Sequence, residues 1–250
     1  MSSNYQTPLI SVRDLDTRFG SHVIHQNLSL EIYEGEILGI VGGSGTGKSV
    51  LLKEILGLIR PYKGEIVFHN SGGSLDVTAI GVLFQDGALF SALTVRQNIQ
   101  VPMREMGDVP MDLMDDLAAL KIEMVGLPPE AAHKTPSQLS GGMRKRAGLA
   151  RALAMDPKIV FLDEPTAGLD PMGAAEFDEL ILQLRKDLGL TVVMVTHDLD
   201  SLYRVTDRVA VLAEKQVIAA DSVEALEKNE HPWIKAYFHG VRSRQNDDKR

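Results

Sequence analysis

A glycine-rich turn between a strand-like run and a helix-like run constrains the fold of this chain more than any other feature. Residues 42–49 read GGSGTGKS, a complete G-x-x-x-x-G-K-[ST] pattern, between the run Glu36–Val41 and the sequence VLLKEILGL. Glycines let backbone N–H groups approach a polyphosphate, and the helix N-terminus adds partial positive charge at the same point. The pattern predicts a phosphate-binding loop, in which Lys48 neutralises the β- and γ-phosphates and the Ser49 hydroxyl binds Mg²⁺.

The apolar runs predict an α/β fold around this loop. Several runs are continuous Val, Ile and Leu, which is typical of strands covered on both faces in a parallel sheet. The predicted strands are Ile10–Val12, Asn27–Ile32, Glu36–Val41, Ile66–Phe68, Gly81–Phe84, Ile159–Leu162, Thr191–Val195 and Arg208–Leu212. The predicted helices are Val50–Leu58, Met111–Val125, Gly142–Met155 and Ala174–Leu188. Strands alternating with helices favour a doubly wound core.

Three stretches depart from this alternation. Residues from Asp86 to Pro157 contain helical patterns and no convincing strand, so we interpret about 86–157 as a helical subdomain inserted into the core. The sequence HNSGGSLD at 69–76 predicts a polar loop or hairpin. The tail 229–250 carries an aromatic patch that either contacts another subunit or caps the chain's own core. The patch consists of Pro232, Trp233, Tyr237 and Phe238.

Composition excludes several functional classes. The formal net charge is −8, from 26 basic and 34 acidic side chains, which disfavours a nucleic-acid partner. The chain contains 0 Cys, so thiol catalysis and cysteine-ligated metals are excluded. No apolar run approaches the roughly 18 residues of a membrane span, and the N-terminus lacks the basic start of a secretory signal. We expect a cytoplasmic protein to which another chain must supply any membrane span.

A second candidate site follows an apolar strand. Residues 159–164 read IVFLDE, and a carboxylate at the carboxyl end of a strand faces the crevice where open α/β sheets bind ligands. We expect Asp163 to hold Mg²⁺ through water and Glu164 to take a proton from an attacking water. An apolar strand followed by acids is also common without any site. Its place after the phosphate loop and before Ala167–Asp170 makes this pattern much more specific.

Further motifs identify a family. The sequence LSGGM at Leu139–Met143, together with GGSGTGKS, IVFLDEPTAGLD and TVVMVTHD, strongly resembles the ATP-binding-cassette (ABC) ATPases from about Ile10 to Leu226. The resemblance implies an ABC-type P-loop NTPase core with an inserted helical subdomain and an N-terminal antiparallel β subdomain. It places one ATPase domain at 8–228, ahead of the tail. It also implies ATP and Mg²⁺ as ligands and ATP hydrolysis coupled to transport.

In this family the signature of one subunit closes over the ATP held by its neighbour. The resemblance assigns that role to Ser140, Gly141, Gly142 and Met143, and it places Asp170 in a loop that crosses the dimer interface. A hydroxyl, bare N–H groups and a helix N-terminus suit that task. One chain carries both halves of the site, but they cannot meet within that chain. The resemblance therefore implies a homodimer. The family usually has Gln where Met143 stands, and Met cannot offer an amide.

The resemblance assigns the remaining site residues one by one. The ATP-binding residues are Phe19, Gly42, Gly43, Ser44, Gly45, Thr46, Gly47, Lys48, Ser49 and Val50. The Mg²⁺ ligands are Ser49, Gln85 and Asp163. The catalytic residues are Glu164, His197, which senses the γ-phosphate, and Gln85, which contacts Mg²⁺ and water and relays to the helical subdomain. Phe19 matches the aromatic that stacks on adenine, with an ordinary core aromatic as the alternative.

Other polar residues carry less information. The histidines outside this set show no ligand spacing, and His22 and His25 sit in a strand-like stretch, so we expect no metal site there. The run Arg144–Lys145–Arg146 predicts the solvated face of the signature helix rather than a nucleic-acid patch.

The segment after Gln85 points to a transporter subgroup. Its sequence, DGALFSALTVRQNIQVPMRE, with GGSGTGKSV and SGGMRKRAGLARA, is similar to the ATPases of the Mla type, which move phospholipid between inner and outer membranes and in which Met143 is the expected residue. The implied partners are a dimeric permease (MlaE-like), a periplasmic MCE-domain lipid-binding ring (MlaD-like) and a cytoplasmic STAS-domain protein (MlaB-like). The implied location is the cytoplasmic face of the inner membrane, peripheral through the permease. The alternatives are the ATPase of a small-solute importer, for example for amino acids, and a non-transport ABC ATPase acting on nucleic acid.

Overall fold

A computed structural model describes residues 8–69, 76–85, 87–105 and 109–238 of the chain. They divide into two compact units, one drawn from positions before 76 and after 195, the other from Asp76–Val195. The strands are β1 (Pro8–Phe19), β2 (His22–Tyr33), β3 (Ile37–Gly42), β4 (Lys63–Phe68), β5 (Ile80–Leu83), β6 (Ile159–Asp163), β7 (Thr191–Val195), β8 (Arg208–Ala213) and β9 (Gln216–Asp221). The helices are α1 (Lys48–Ile55), α2 (Val95–Glu105), α3 (Met111–Met124), α4 (Gly141–Ala152), α5 (Pro171–Leu188), α6 (Leu199–Val205) and α7 (Val223–Leu226).

The first unit contains the antiparallel β subdomain expected from the family resemblance. Strand β1 lies between β2 and β4 and pairs antiparallel with both. Alternate residues Leu28, Leu30 and Ile32 of β2 are buried, because successive side chains of a strand point to opposite faces. Asn27 has a positive φ of 53°, and the β1–β2 register shifts nearby. This irregularity turns His25 inward, where its side chain is 0% exposed.

The first unit also contains the strand that leads into the phosphate loop. Strand β3 pairs parallel with β8, which pairs antiparallel with β9. Residues Ile37–Val41 are buried throughout, as the continuous apolar run predicted.

The aromatic patch of the tail packs on this unit's own core. Residues 232–238 are helical, and Ile234 and Phe238 are buried in a cluster with Leu199 and Leu202 of α6. The Trp233 ring stacks on Tyr237 with centroids 5.0 Å apart. Burial, helped by the charge of Asp198, raises the pKa of Tyr237 to about 12. The described part of the tail therefore caps the core, which is one of the two alternatives, and residues 239–250 lie outside the described residues.

The second unit contains a parallel sheet and three of the four predicted helices, observed as α3, α4 and α5. Strand β6 lies between β5 and β7 and is parallel to both. Helices α2, α3 and α4 and two short 3₁₀ turns lie between β5 and β6. No strand interrupts them in the described positions 87–105 and 109–157, so the helical content is confirmed. The division at 86 and 157 stays a prediction, and Asp86 lies outside the described residues.

The structure corrects several boundaries. Helix α1 ends at Ile55, three residues before the predicted end, and Gly57 follows with a φ of 70°. Helices α2, α6 and α7 and strand β9 were not predicted. The predicted polar loop at 69–76 lies largely outside the described residues. Within the part of the chain that the structure describes, no helix is long and apolar enough to cross a membrane.

Candidate functional site

The predicted phosphate loop connects β3 to α1 in the first unit. Gly47 adopts a left-handed conformation (φ 97°, ψ 10°) immediately before Lys48 begins the helix. Among the described residues, no side chain caps the N-terminus of α1. The N–H groups at a helix N-terminus need a partner, and an anion is the usual alternative to a side chain. The loop therefore ends in a group of donors suited to phosphate.

Two glycines of the loop leave no room for a side chain. A Cβ at Gly42 would lie 2.5 Å from the carbonyl oxygen of Leu212, and one at Gly47 would lie 2.3 Å from Nε2 of His25. The Lys48 ammonium folds back over the loop, where Nζ donates to the carbonyl of Gly42 at 2.8 Å and to that of Gly43 at 3.1 Å. A bare, tightly turned backbone with an ammonium across it is the donor set that a polyphosphate requires. The residues present therefore fit the predicted ligand.

Two further predicted residues of the first unit lie near its strand ends. Thr196 donates its N–H to the carbonyl of Ile40 in β3 at 3.4 Å, which places the exposed His197 beside the carboxyl end of β3. Asp198 then caps α6 by accepting from the N–H groups of Asp200 and Ser201. Phe19 ends β1 and is 51% exposed, so the alternative of an ordinary core aromatic is wrong. The proposed adenine contact of Phe19 stays a prediction.

In the second unit, the structure brings Gln85 and Glu164 together. The amide Nε2 of Gln85 donates to Oε2 of Glu164 over 3.4 Å. Asp163 is the last residue of β6, and Glu164 follows it with a positive φ of 48°. That conformation is uncommon for a residue with a side chain, and such strain concentrates at functional sites. The Glu164 N–H donates to the carbonyl of Val195 at 2.8 Å, which holds the strained residue in place.

The lysine of the signature helix is a site residue that the sequence did not reveal. We expected Arg144–Lys145–Arg146 to be solvated, and for Lys145 that expectation is wrong, because this residue is 6% exposed. Its Nζ donates to the carbonyl of Gln85 and, at 2.9 Å, to the carbonyl of Glu164. One buried ammonium therefore ties both predicted catalytic residues to α4 through their backbone.

The same face of α4 holds the segment that follows Gln85. Arg151 donates from Nη1 to the carbonyl of Ala88 at 2.7 Å and from Nη2 to that of Gly87 at 3.0 Å. Burial lowers the pKa of Arg151. Between Lys145 and Arg151 lies Gly148, where a Cβ would approach Leu83 to 2.7 Å. Lys145, Gly148 and Arg151 stand three residues apart, so they share one helix face.

The signature residues begin α4. Ser140 is the N-cap, and its Oγ accepts from the N–H of Met143 at 3.2 Å. Apart from chain neighbours and the backbone of α4 itself, a Cβ at Gly141 would meet no described atom closer than 4.0 Å, and one at Gly142 none closer than 3.9 Å. Nothing in the described chain therefore requires glycine at either position. Asp170 is exposed and caps α5, because its Oδ1 accepts from the N–H of Gly173 at 2.8 Å.

The predicted Mg²⁺ ligands are a hydroxyl, an amide and one carboxylate, from Ser49, Gln85 and Asp163. No group of three or more His, Cys, Asp or Glu side chains among the described residues could hold a metal ion. The predicted ligand set would not form such a group, so it stays a prediction. Oxygen ligands of this kind suit Mg²⁺, which is commonly held by few protein groups together with substrate phosphates.

A family model, named relatives and a solved structure are similar to this chain. Residues 25–167 match the family model described as "ABC transporter". The chain is 38% identical over 241 residues to the intermembrane phospholipid transport system ATP-binding protein MlaF of Escherichia coli (strain K12), covering 93% of this chain and 89% of that protein. It is 37% identical to the probable ribonucleotide transport ATP-binding protein mkl of Mycobacterium leprae, covering 93% of this chain and 69% of that protein. A solved dimer of the ATP-binding cassette MJ0796, in a post-hydrolysis state with ADP and Pi, superposes with a TM-score of 0.76 at 30% identity, covering 86% of this chain and 98% of that chain.

The open surroundings of Gly141 lead to the first prediction. In the variant Gly141→Asp we expect the thermal unfolding midpoint to stay the same or rise, because an acid in the first turn of a helix stabilises it by about 0.3–1 kcal/mol. The family resemblance predicts that Gly141 faces the ATP of a neighbouring copy. On that prediction we expect ATP turnover to fall by about 100-fold or more, because the carboxylate would repel the phosphates. The charge-matched control is Met111→Asp, in the first turn of α3, where Met111 is 82% exposed. Equal turnover in the two variants would contradict the prediction.

The buried ammonium of Lys145 leads to the second prediction. Lys145→Met fills a similar volume but removes the donor shared by the Gln85 and Glu164 carbonyls. We expect the free energy of unfolding to fall by about 2 kcal/mol, since two carbonyl oxygens lose a charged donor, and ATP turnover to fall with it. Urea denaturation and a steady-state ATPase assay measure these effects. Lys186→Met, at an exposed position of α5, is the control, and the same behaviour in both variants would refute the role.

Proposed function

Because the chain belongs to the ABC transporter family, we propose that it is the ATP-hydrolysing subunit of a membrane transporter that moves phospholipid between inner and outer membranes. The observation that supports phospholipid as the cargo is the 38% identity to MlaF over 93% of this chain. The chemistry of the site supports the ATPase part. A phosphate cradle, a strained acid beside a glutamine and an uncapped helix N-terminus suit the hydrolysis of a phosphoanhydride.

In the proposed reaction, water attacks the γ-phosphorus of ATP and the bond to the β-phosphate oxygen breaks. Glu164 accepts the proton of the attacking water, and Gln85 orients that carboxylate and the water. Lys48 and the loop N–H groups offset the charge that develops on the phosphoryl oxygens. His197 donates to the γ-phosphate. Mg²⁺, held by oxygens of Ser49, Gln85 and Asp163, would neutralise phosphate charge when it is bound.

The proposal requires two copies of the chain. Gly141 and Gly142 have open surroundings within the described residues, as expected if another molecule packs there. We propose that Ser140, Gly141, Gly142 and Met143 of one copy close over the ATP held by the other, with Asp170 in the contact between them. The dimeric cassette that this chain resembles supports this arrangement.

The remaining partners are those that the resemblance to the Mla type implies. We propose that the homodimer binds an integral-membrane permease dimer of the MlaE type at the cytoplasmic face of the inner membrane, and is peripheral to the membrane through it. An MCE-domain lipid-binding ring of the MlaD type and a STAS-domain protein of the MlaB type complete the proposed complex. The similarity to MlaF supports these partners.

A second cargo has an observation in its favour. The mycobacterial relative of nearly the same identity is named for ribonucleotide transport, which would make the cargo a polar solute. MlaF is matched over 89% of its length and mkl over 69%, so the similarity to MlaF is the more complete one. Phospholipid is therefore the cargo that we propose, ahead of a nucleotide or an amino acid.

The proposed base leads to the third prediction. Glu164→Gln keeps the shape of the side chain but cannot accept a proton, so we expect turnover to fall by about 100-fold or more. ATP binding should persist, because the loop is unchanged. Size-exclusion chromatography with MgATP should then show a trapped dimer, whereas Lys48→Ala should show neither binding nor dimer. Turnover at the unmodified rate in Glu164→Gln would place the base elsewhere.

The proposed cargo leads to the fourth prediction. The chain should copurify with its membrane partners in detergent, and organic extraction of that complex should yield phospholipid. In proteoliposomes, ATPase activity should depend on phospholipid and should not respond to ribonucleotides or amino acids. The Glu164→Gln complex is the control for ATP-dependent lipid movement. Activity that responds to a polar solute would favour the importer, and activity raised only by nucleic acid would favour the non-transport class.

A further inference from the structure

A buried polar network lies behind the phosphate loop in the first unit. It joins Thr17 of β1, His25 of β2 and Glu54 of α1, and the side chains of His25 and Glu54 are both 0% exposed. Thr17 Oγ1 donates to Glu54 Oε1 at 2.5 Å. The His25 ring places Nδ1 3.1 Å from Glu54 Oε2 and Nε2 3.2 Å from the carbonyl oxygen of Gly47.

Donor and acceptor chemistry fixes how this ring is used. The Gly47 carbonyl can only accept, so Nε2 of His25 carries a hydrogen and donates it. Nδ1 lies 3.1 Å from both Thr17 Oγ1 and Glu54 Oε2, and because the single Thr17 hydroxyl hydrogen goes to Glu54, both oxygens face Nδ1 as acceptors. Polar groups this deeply buried are costly unless they are bonded. The ring is therefore held by Glu54 on one side and contacts the phosphate loop on the other.

The contacted carbonyl belongs to the peptide that joins Gly47 to Lys48. A trans peptide is planar, so the direction of its carbonyl fixes the opposite direction of the Lys48 N–H. The same Gly47 oxygen also accepts from the Leu51 N–H at 2.8 Å, the first hydrogen bond of α1. The His25 ring occupies the space that a Cβ at Gly47 would need. It therefore limits both the rotation of this peptide and the path of the loop.

We propose that His25 is a positioning residue for nucleotide binding, which aims the Lys48 N–H at the bound phosphates by holding the Gly47 carbonyl. The inference rests on the proposed function of the loop as an ATP site. His25 does not touch the nucleotide. It acts through the peptide, and its loss weakens phosphate binding more than it slows the chemical step.

Two substitutions separate the two sides of the ring. The amide of Gln reaches as far as Nε2, so His25→Gln keeps a donor for the Gly47 carbonyl and gives up the bond to Glu54. The amide of Asn reaches as far as Nδ1, so His25→Asn keeps the bond to Glu54 and gives up the one to Gly47. The full chain is used, with a fluorescent ATP analogue for the dissociation constant and urea denaturation without nucleotide for stability.

We expect His25→Asn to raise the dissociation constant and the KM for ATP by about tenfold, with kcat changed by less than about threefold, since one hydrogen bond is lost. His25→Gln should bind within about twofold of the unmodified chain although it is the less stable of the two, because the buried Glu54 keeps Thr17 but loses His25 as a partner. Affinity and stability should therefore rank the variants in opposite orders. Equal affinities, or affinities that follow stability, would overturn the proposal.

A further variant covers the case in which His25 substitutions do not fold. Glu54→Gln leaves the ring on the Gly47 carbonyl, so its affinity should stay within about twofold, and a tenfold loss would overturn the inference. Lys48→Ala separates this inference from the proposed function. If Lys48→Ala binds the analogue normally, the ATP site itself is misassigned. If Lys48→Ala abolishes binding while the His25 variants bind alike, only the role of His25 fails.

Discussion

The passage from β3 into α1 is the constraint on which the rest of the first unit depends. The backbone must reverse within a few residues of a buried strand and present N–H groups at the start of a helix. Gly47 makes this possible, because it adopts a positive φ where a neighbouring ring leaves no space for Cβ. The uncapped helix N-terminus and the folded-back Lys48 follow from that geometry. The antiparallel sheet supports the loop through Thr17 and His25, because His25 contacts the Gly47 carbonyl and Thr17 donates to Glu54 of α1.

In the second unit, cationic side chains on one face of α4 organise irregular backbone. Lys145 and Arg151 donate to carbonyl oxygens of Gln85, Gly87, Ala88 and Glu164. Loops lack the hydrogen-bond partners that regular elements provide, so such donors are what give them a defined shape. Because the same helix begins with the signature residues, a displacement of α4 would carry Gln85 and the backbone of Glu164 with it. The signature residues, Glu164 and Gln85 are therefore connected through one helix.

The sequence allowed prediction of the buried strands and motif positions but not of the features that depend on helix phase or turn geometry. Continuous apolar runs predicted β3, β6 and β7, because a strand that is covered on both faces is apolar at nearly every position instead of at every second one. Strand β9 was not predicted, because its hairpin turn lacks the Gly or Asn that usually marks such a turn in a sequence. The turn consists of Glu214 and Lys215, which both have positive φ (52° and 69°). Lys145 looks like its neighbours in sequence, and only the phase of α4 buries it. The alternation of Leu28, Leu30 and Ile32 would turn Gln26 inward, and the irregularity at Asn27 places His25 there instead.

The open surroundings of the signature glycines separate thermal stability from activity, two properties that protein engineers usually treat together. A substitution in a packed core usually lowers both stability and activity. For such positions, a high unfolding temperature therefore indicates an active protein. No side chain in the described chain packs tightly against Gly141 or Gly142, so substitutions there can remove activity without lowering stability. A library sorted by survival at high temperature would retain inactive clones at these positions and could even enrich them. Directed evolution of this scaffold therefore needs a functional screen beside the thermal one.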